Sequence, residues 1–126
     1  MLNIEIKNII EYIENNIDIS ELFKINLDID KYLDFRDDDF FDTNWIESYD
    51  SVEHIKDILS SEDINFINNL QKRKFMEIIN ITGSSDMASY LSDDFELFVF
   101  NLYGNFKNSW IEKLFENYSN GILYMS

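Results

Sequence analysis

The side chains that most often carry nucleophilic or zinc chemistry are nearly missing from this sequence. The chain has a single histidine, His54, and no cysteine. Ser–His–acid and Cys–His catalysis each need a histidine beside the nucleophile, and a zinc hydrolase usually needs two or three. No glycine-rich phosphate-binding motif is present either. We therefore expect no enzyme, and we interpret His54 as an ordinary residue of an amphipathic helix.

Carboxylates are abundant, and dense carboxylates can in principle bind Mg²⁺ or Ca²⁺. Asp28, Asp30 and Asp34 have part of the spacing of a calcium loop, but Leu33 stands where the sharp turn of that loop needs glycine. The contiguous side chains of residues 37–39 diverge on any one element. Nothing singles out two of the 25 acids as a glycosidase pair. We predict no metal site and no cofactor.

The acids are unevenly distributed along the chain, whose net charge is −15. Residues 1–63 hold 18 acids against 5 bases, and residues 64–126 hold 7 against 5. The densest stretch, residues 28–42, has seven acids and two bases. A small domain stays soluble with only a few net charges, and a larger excess raises self-repulsion in the compact state. This excess predicts a face that meets a basic partner.

Aromatic residues are interleaved with these acids. Phe40 and Phe41 are adjacent, so a regular helix cannot turn both inward, and one is expected to be exposed as an anchor. Carboxylates speed association with a basic partner, and buried aromatics slow dissociation. The plainer interpretation is a solvated acidic face with its aromatics in the core. We predict a partner-binding surface made of Asp28, Asp30, Asp34, Asp37, Asp38, Asp39, Phe40, Phe41, Asp42 and Trp45.

Helices are the elements that must position these residues. The chain has no proline, and its three glycines suit helix C-termini. Apolar residues at steps of three and four form one stripe on a first helix: Leu2, Ile6, Ile9, Ile10, Ile13 and Ile17. We predict an all-α fold, a compact single-domain bundle of about six helices over residues 1–126.

Capping residues predict where the helices begin and end. The paired cap positions are Asp18 and Glu21, Asp50 and Glu53, Ser60 and Asp63, and Ser109 and Glu112. Gly83 is placed to adopt a left-handed cap and Gly121 to follow the last helix.

Residues 84–104 are predicted as two helices. Ser84 to Asp86 opens a short helix, and Ser92 caps the next, with Asp93 and Asp94 charging its N-terminus. The alternating residues 95–103 would also suit a buried strand. We favour helix, because Gly104 closes the segment.

Features that are absent from the sequence indicate where the protein is located and which ligands it does not bind. No run approaches 18 consecutive apolar residues, and the first residues do not have the pattern of a secretory signal. We expect a cytoplasmic protein that binds no membrane. Repulsion from phosphates argues against direct binding of nucleic acid. Repulsion between acidic faces predicts a monomer when the protein is free.

Three segments resemble a known family: residues 89–97 (SYLSDDFEL), 109–114 (SWIEKL) and 118–121 (YSNG). They are similar to the small immunity proteins encoded beside bacterial polymorphic toxins, in particular those of contact-dependent growth inhibition. The resemblance covers roughly the last 35 residues. It implies a cytoplasmic antitoxin that binds one cognate toxin domain, often a nuclease. No binding residues carry over, since immunity interfaces vary from pair to pair.

Two functions follow from the acids and the resemblance together. The first is an immunity protein that binds and neutralises a cognate basic toxin domain, a nuclease, in the producing cell. The alternative is a DNA mimic of the anti-restriction or anti-CRISPR type, whose carboxylates imitate phosphates. A mimic should spread its acids along an extended face, whereas residues 28–42 concentrate them.

Overall fold

The computed structural model of the chain describes residues 4–24 and 27–123. These residues form seven α-helices and one 3₁₀ helix. In chain order they are α1 (Ile4–Asn16), α2 (Ile19–Leu22), α3 (Ile29–Asp37), α4 (Asp39–Val52), the 3₁₀ helix (Glu53–Ile58), α5 (Ser61–Thr82), α6 (Ser85–Tyr103) and α7 (Ser109–Ser119). The described ranges contain no strand. The predicted all-α bundle is confirmed, and six of its helices have nine or more residues.

Helix α6 is the centre of the bundle. It contacts α1, α3, α4, α5 and α7, and 11 of its 19 residues are buried. Residues 94–101 of α6 are all buried except the half-buried Glu96, and a helical segment that is buried on every side lies inside a protein rather than on its surface. The alternation in residues 95–103 thus belongs to a buried helix, as favoured above, and not to a strand.

The prediction of two helices over residues 84–104 is wrong, because α6 is continuous. Ser84 caps it, since its hydroxyl accepts from the Met87 backbone N at 3.1 Å. Ser92 lies within the helix and donates its hydroxyl to the Ser89 carbonyl at 3.0 Å. A serine can satisfy its hydroxyl inside a helix in this way, so serine followed by acids does not by itself mark a helix start.

The other helix termini show which of the predicted caps are present in the structure. Ser60 and Asp63 form a reciprocal capping box at the start of α5, and Gly83 ends that helix with φ +70°. Asp18 caps α2 through the Ser20 backbone N. The start of α7 was predicted one residue late, because Asn108 accepts from the Ile111 backbone N at 2.9 Å.

The remaining differences concern the N-terminal half. Asp50 and Glu53 do not form a helix cap: Asp50 lies near the end of α4, and the 3₁₀ helix that begins at Glu53 has no side-chain cap. The predicted stripe of α1 is buried at Ile6, Ile10 and Ile13. Leu2, which was assigned to the same stripe, lies outside the described residues.

Candidate partner-binding surface

All seven acids of the predicted surface are exposed, and they lie on α3, on α4 or at the start of these helices. Two have local roles. Asp28 caps α3 by accepting from the Lys31 backbone N at 3.1 Å, and Asp38 caps α4 by accepting from the Phe40 backbone N at 2.9 Å. Carboxylates at helix N-termini are stabilising, so the fold accounts for these two acids.

Most of the other acids are not neutralised by the chain itself. In the ranges that the structure describes, Asp30, Asp34, Asp39 and Asp42 take part in no salt bridge. Asp37 lies at the C-terminus of α3, where the helix dipole disfavours a negative charge. It accepts from the Tyr90 hydroxyl at 3.2 Å. We call the exposed face that carries residues 28–42 the acidic face.

The three aromatic residues of the predicted surface have different positions. Phe40 is 65% exposed, whereas the neighbouring Phe41 is buried. Phe41 packs edge-on against Trp110, with ring centroids 5.1 Å apart. Trp45 is half-buried, and its indole Nε1 donates to Asp94 Oδ1 at 2.9 Å. Only Phe40 is displayed as an anchor would be, and Phe41 belongs to the core.

Behind the acidic face lies a buried ion pair that the sequence did not reveal. Arg36 Nη1 lies 2.6 Å from Asp94 Oδ2, and Nη2 lies 3.0 Å from Asp94 Oδ1. Both side chains are at least 95% buried. The Tyr118 hydroxyl also donates to Asp94 Oδ2, at 2.6 Å. Asp94 therefore does not charge a helix N-terminus; it lies in the middle of α6 and joins α3, α4 and α7 to that helix.

Electrostatics keep Arg36 charged in this buried position. Burial by itself would lower the pKa of Arg36, but the Asp94 carboxylate reverses that effect and raises the pKa above its ordinary value. Burial, with the negative charge of Asp94, also raises the pKa of Tyr118 well above its usual range. Tyr118 is thus a neutral hydrogen-bond donor and Arg36 a permanent cation. Their role is to hold the helices together.

A groove opens between α3, α4 and α6 at the acidic face. Its volume is about 220 Å³, and we call it the acidic groove. It is lined by Arg36, Asp37, Phe41, Asp42, Trp45, Ile46, Tyr90 and Asp93. Four of the predicted contact residues therefore meet in one concavity, together with a carboxylate from α6 that was not assigned to the surface.

Asp93 is that additional carboxylate. The prediction that it charges a helix N-terminus is wrong, because it lies in the interior of α6 and borders the groove. Partial burial, followed by the nearby carboxylates of Asp94 and Glu96, raises its pKa to about 6; Arg36 opposes the rise. Arg36 therefore compensates the charge of this carboxylate only in part.

His54 and Lys74 have ordinary packing roles in the part of the chain that the structure describes. His54 is exposed and packs edge-on against Phe106, with ring centroids 5.1 Å apart. Lys74, from the basic cluster 72–74, is buried and lies 3.2 Å from Glu14 and 3.1 Å from Glu77. Across residues 4–24 and 27–123, no three His, Cys, Asp or Glu residues are grouped as metal ligands would be. No helix in the same ranges is both long and apolar enough to span a membrane.

Comparison with known families decides the class of protein. Residues 8–123 match the model of the family described as immunity protein PIM1. The chain belongs to this family. The match includes the helices of the acidic face as well as the last two helices, so the resemblance to immunity proteins is confirmed over most of the chain. No curated protein matches the chain significantly. As a member of the PIM1 family, the chain is an immunity protein whose partner is a toxin.

Proposed function

We propose that this PIM1-family protein neutralises a basic toxin domain, a nuclease, by binding it through the acidic face. Membership of the family indicates that the partner is a toxin. The acidic face is the reason to expect that this toxin is basic. A nuclease has Lys and Arg in its active cleft, because it must grip phosphates. An acidic protein seated there excludes the nucleic acid without performing any reaction.

One observation carries this proposal: seven exposed carboxylates lie on two consecutive helices, and the 65%-exposed ring of Phe40 lies among them. Charge of one sign on one face attracts a partner of the opposite sign over distances up to the Debye length, about 8–10 Å at physiological salt. An exposed aromatic ring then gives short-range contact area. The face has both parts of such an interface.

Association kinetics with the toxin encoded beside this gene test the proposal. Replacing Asp37, Asp38 and Asp39 by Asn should slow association about tenfold at low salt and flatten its salt dependence. Asparagine caps helices about as well as aspartate, so the cap at residue 38 is retained. The control carries the same change in charge on α1 and α7, at exposed positions: Glu11, Glu112 and Glu116 to Gln. It should alter the rate far less.

Three results would count against the proposal. Absence of a complex at micromolar concentration, together with no protection of toxin-producing cells, would reject toxin neutralisation. Equal rates for the two triple variants would remove the interface from the acidic face. Competition with DNA for several unrelated DNA-binding proteins would instead favour the DNA-mimic alternative.

A further inference from the structure

Three carboxylates from three helices converge on the acidic groove. Asp37 comes from the end of α3, Asp42 from the first turn of α4 and Asp93 from the middle of α6. All three side chains are exposed at the surface. Asp93 lies more than 50 positions along the chain from the other two, so their convergence is a product of the fold.

The only cation in the groove lining is already neutralised. The two terminal nitrogens of Arg36, Nη1 and Nη2, donate hydrogen bonds to the two carboxylate oxygens of Asp94. Among the described residues, Asp42 and Asp93 form no salt bridge. The groove therefore has an excess of negative charge that no salt bridge within residues 4–24 and 27–123 balances.

The walls between the carboxylates are aromatic and aliphatic. Trp45, Tyr90 and Phe41 line the groove, and beside them lies Ile46, which is 48% exposed. Two of these rings already face a cation of the chain itself: the Arg36 guanidinium carbon lies 4.5 Å from the centroid of Phe41 and 5.2 Å from that of Tyr90. Ring faces attract cations, and the methylenes of lysine and arginine pack on apolar surface.

We infer that the acidic groove is the receptor for one basic side chain, a lysine or an arginine, of the toxin. This inference rests on the proposed function, because the toxin supplies the cation. The volume of about 220 Å³ is below the roughly 300–1,000 Å³ of typical small-molecule pockets, which favours a single side chain over a metabolite. The acidic face attracts the toxin over a distance, and the groove fixes the position and orientation in which the toxin binds.

The raised pKa of Asp93 supports the same occupant. The charged groups around it are Asp94 and Glu96 on α6, Arg36 and Asp37 on α3, and Asp42 on α4. A cation in the groove would lower the pKa of Asp93 from about 6. Occupancy then releases a proton at acidic pH, so binding should be tighter at pH 7 than at pH 5.5.

A toxin-free experiment tests the groove as a cation receptor. The ¹⁵N-labelled protein is titrated with acetyl-Gly-Arg-Gly-amide, with its lysine counterpart and with a neutral citrulline control. We expect saturable shifts of the Ile46, Tyr90 and Asp93 amides with the cationic peptides only, weakened at least tenfold in the Asp42→Asn, Asp93→Asn double variant. Equal shifts with citrulline, or shifts spread over all exposed carboxylates, would overturn the inference.

A second measurement asks whether the toxin uses the groove. The double variant should raise the dissociation constant of the complex at least tenfold at pH 7 and remove its tightening between pH 5.5 and pH 7. The control is Asp50→Asn with Asp57→Asn, two exposed acids outside the groove. It should change the constant less than threefold.

The two failures are distinguishable. If the wild-type protein forms no complex, the proposed function fails, whatever the peptides show. If the wild-type complex forms and the two double variants behave alike, the groove inference fails and the proposed function stands.

Discussion

Asp94 is the single residue on which most of the helix packing behind the acidic face depends. Its two oxygens accept from Arg36 of α3, Trp45 of α4 and Tyr118 of α7. A buried ion pair adds little net stability over an apolar pair, but removing one partner leaves an uncompensated charge inside the protein. The geometry of the acidic face is thus fixed from within.

Replacing Asp94 by Asn should be strongly destabilising, because Arg36 stays charged and buried. We expect the free energy of unfolding, measured by urea denaturation, to fall by about 3–5 kcal/mol. Asp86→Asn is the control, since Asp86 is exposed on the same helix, and it should change stability by less than about 0.5 kcal/mol. A loss below about 1 kcal/mol for Asp94→Asn would contradict this account of the pair.

Asp93 should have the opposite effect on stability. Its pKa is about 6 in the folded protein and about 3.9 in an unfolded chain, so between these values the folded state binds more protons than the unfolded state. Its contribution therefore becomes unfavourable as pH rises from about 4 to about 6. Discounted for its exposure, the cost at pH 7 is on the order of 1 kcal/mol.

Asp93→Asn should accordingly stabilise the protein at pH 7 and change little near pH 3.5. Urea denaturation at both pH values measures the difference. An equal effect at the two pH values, or a less stable variant at pH 7, would show that the charged form of Asp93 does not destabilise the folded protein.

At the scale of the elements, the predictions that succeeded depend on neighbours in sequence. Ser60 with Asp63 marked the start of α5, and Gly83 its end. Phe40 and Phe41 could not both face inward on a helix, and only Phe41 does. The continuity of α6 was missed, because Ser92 followed by two acids resembles a helix start. Only the packing of α6 in the core, where Leu91, Ser92 and Asp94 are buried, shows that it continues through that point.

Gly83 gives a test at this scale. Its φ of +70° is strained for a residue with a Cβ, although the space around it is open. Gly83→Ala should therefore lower the free energy of unfolding by about 1–2 kcal/mol. Gly83→Asn should recover part of the loss, because asparagine tolerates the left-handed conformation. Thermal unfolding of the three proteins measures both changes; equal stability of the alanine variant and the parent would contradict the assignment of this cap.

At the scale of the whole molecule, the sequence predicted the fold class and the acidic face but not the groove. Arg36 looked like one base among seven acids, and its partner Asp94 lies 58 positions away. Nothing local connects the two, since their pairing depends on how α3 packs on α6. The available signal was the helical spacing of Asp94, which lies three or four positions from Leu91, Leu97 and Phe98 and so on an apolar face. Asp93 joins the groove for the same long-range reason.

The charge asymmetry has a structural counterpart. The acidic residues 28–42 lie on α3 and α4, which pack against α6. Helix α6 comes from the less charged second half of the chain and supplies much of the core. The less charged half of the chain thus supplies much of the core, and the acidic half supplies the charged face.

Amide hydrogen exchange of the free and toxin-bound protein tests the central claim most directly. Binding at the acidic face should slow exchange in residues 28–45 and around residues 90–93, and leave α1 and the middle of α5 unchanged. Slowed exchange confined to α1, α5 or α7, with residues 28–45 unaffected, would contradict it.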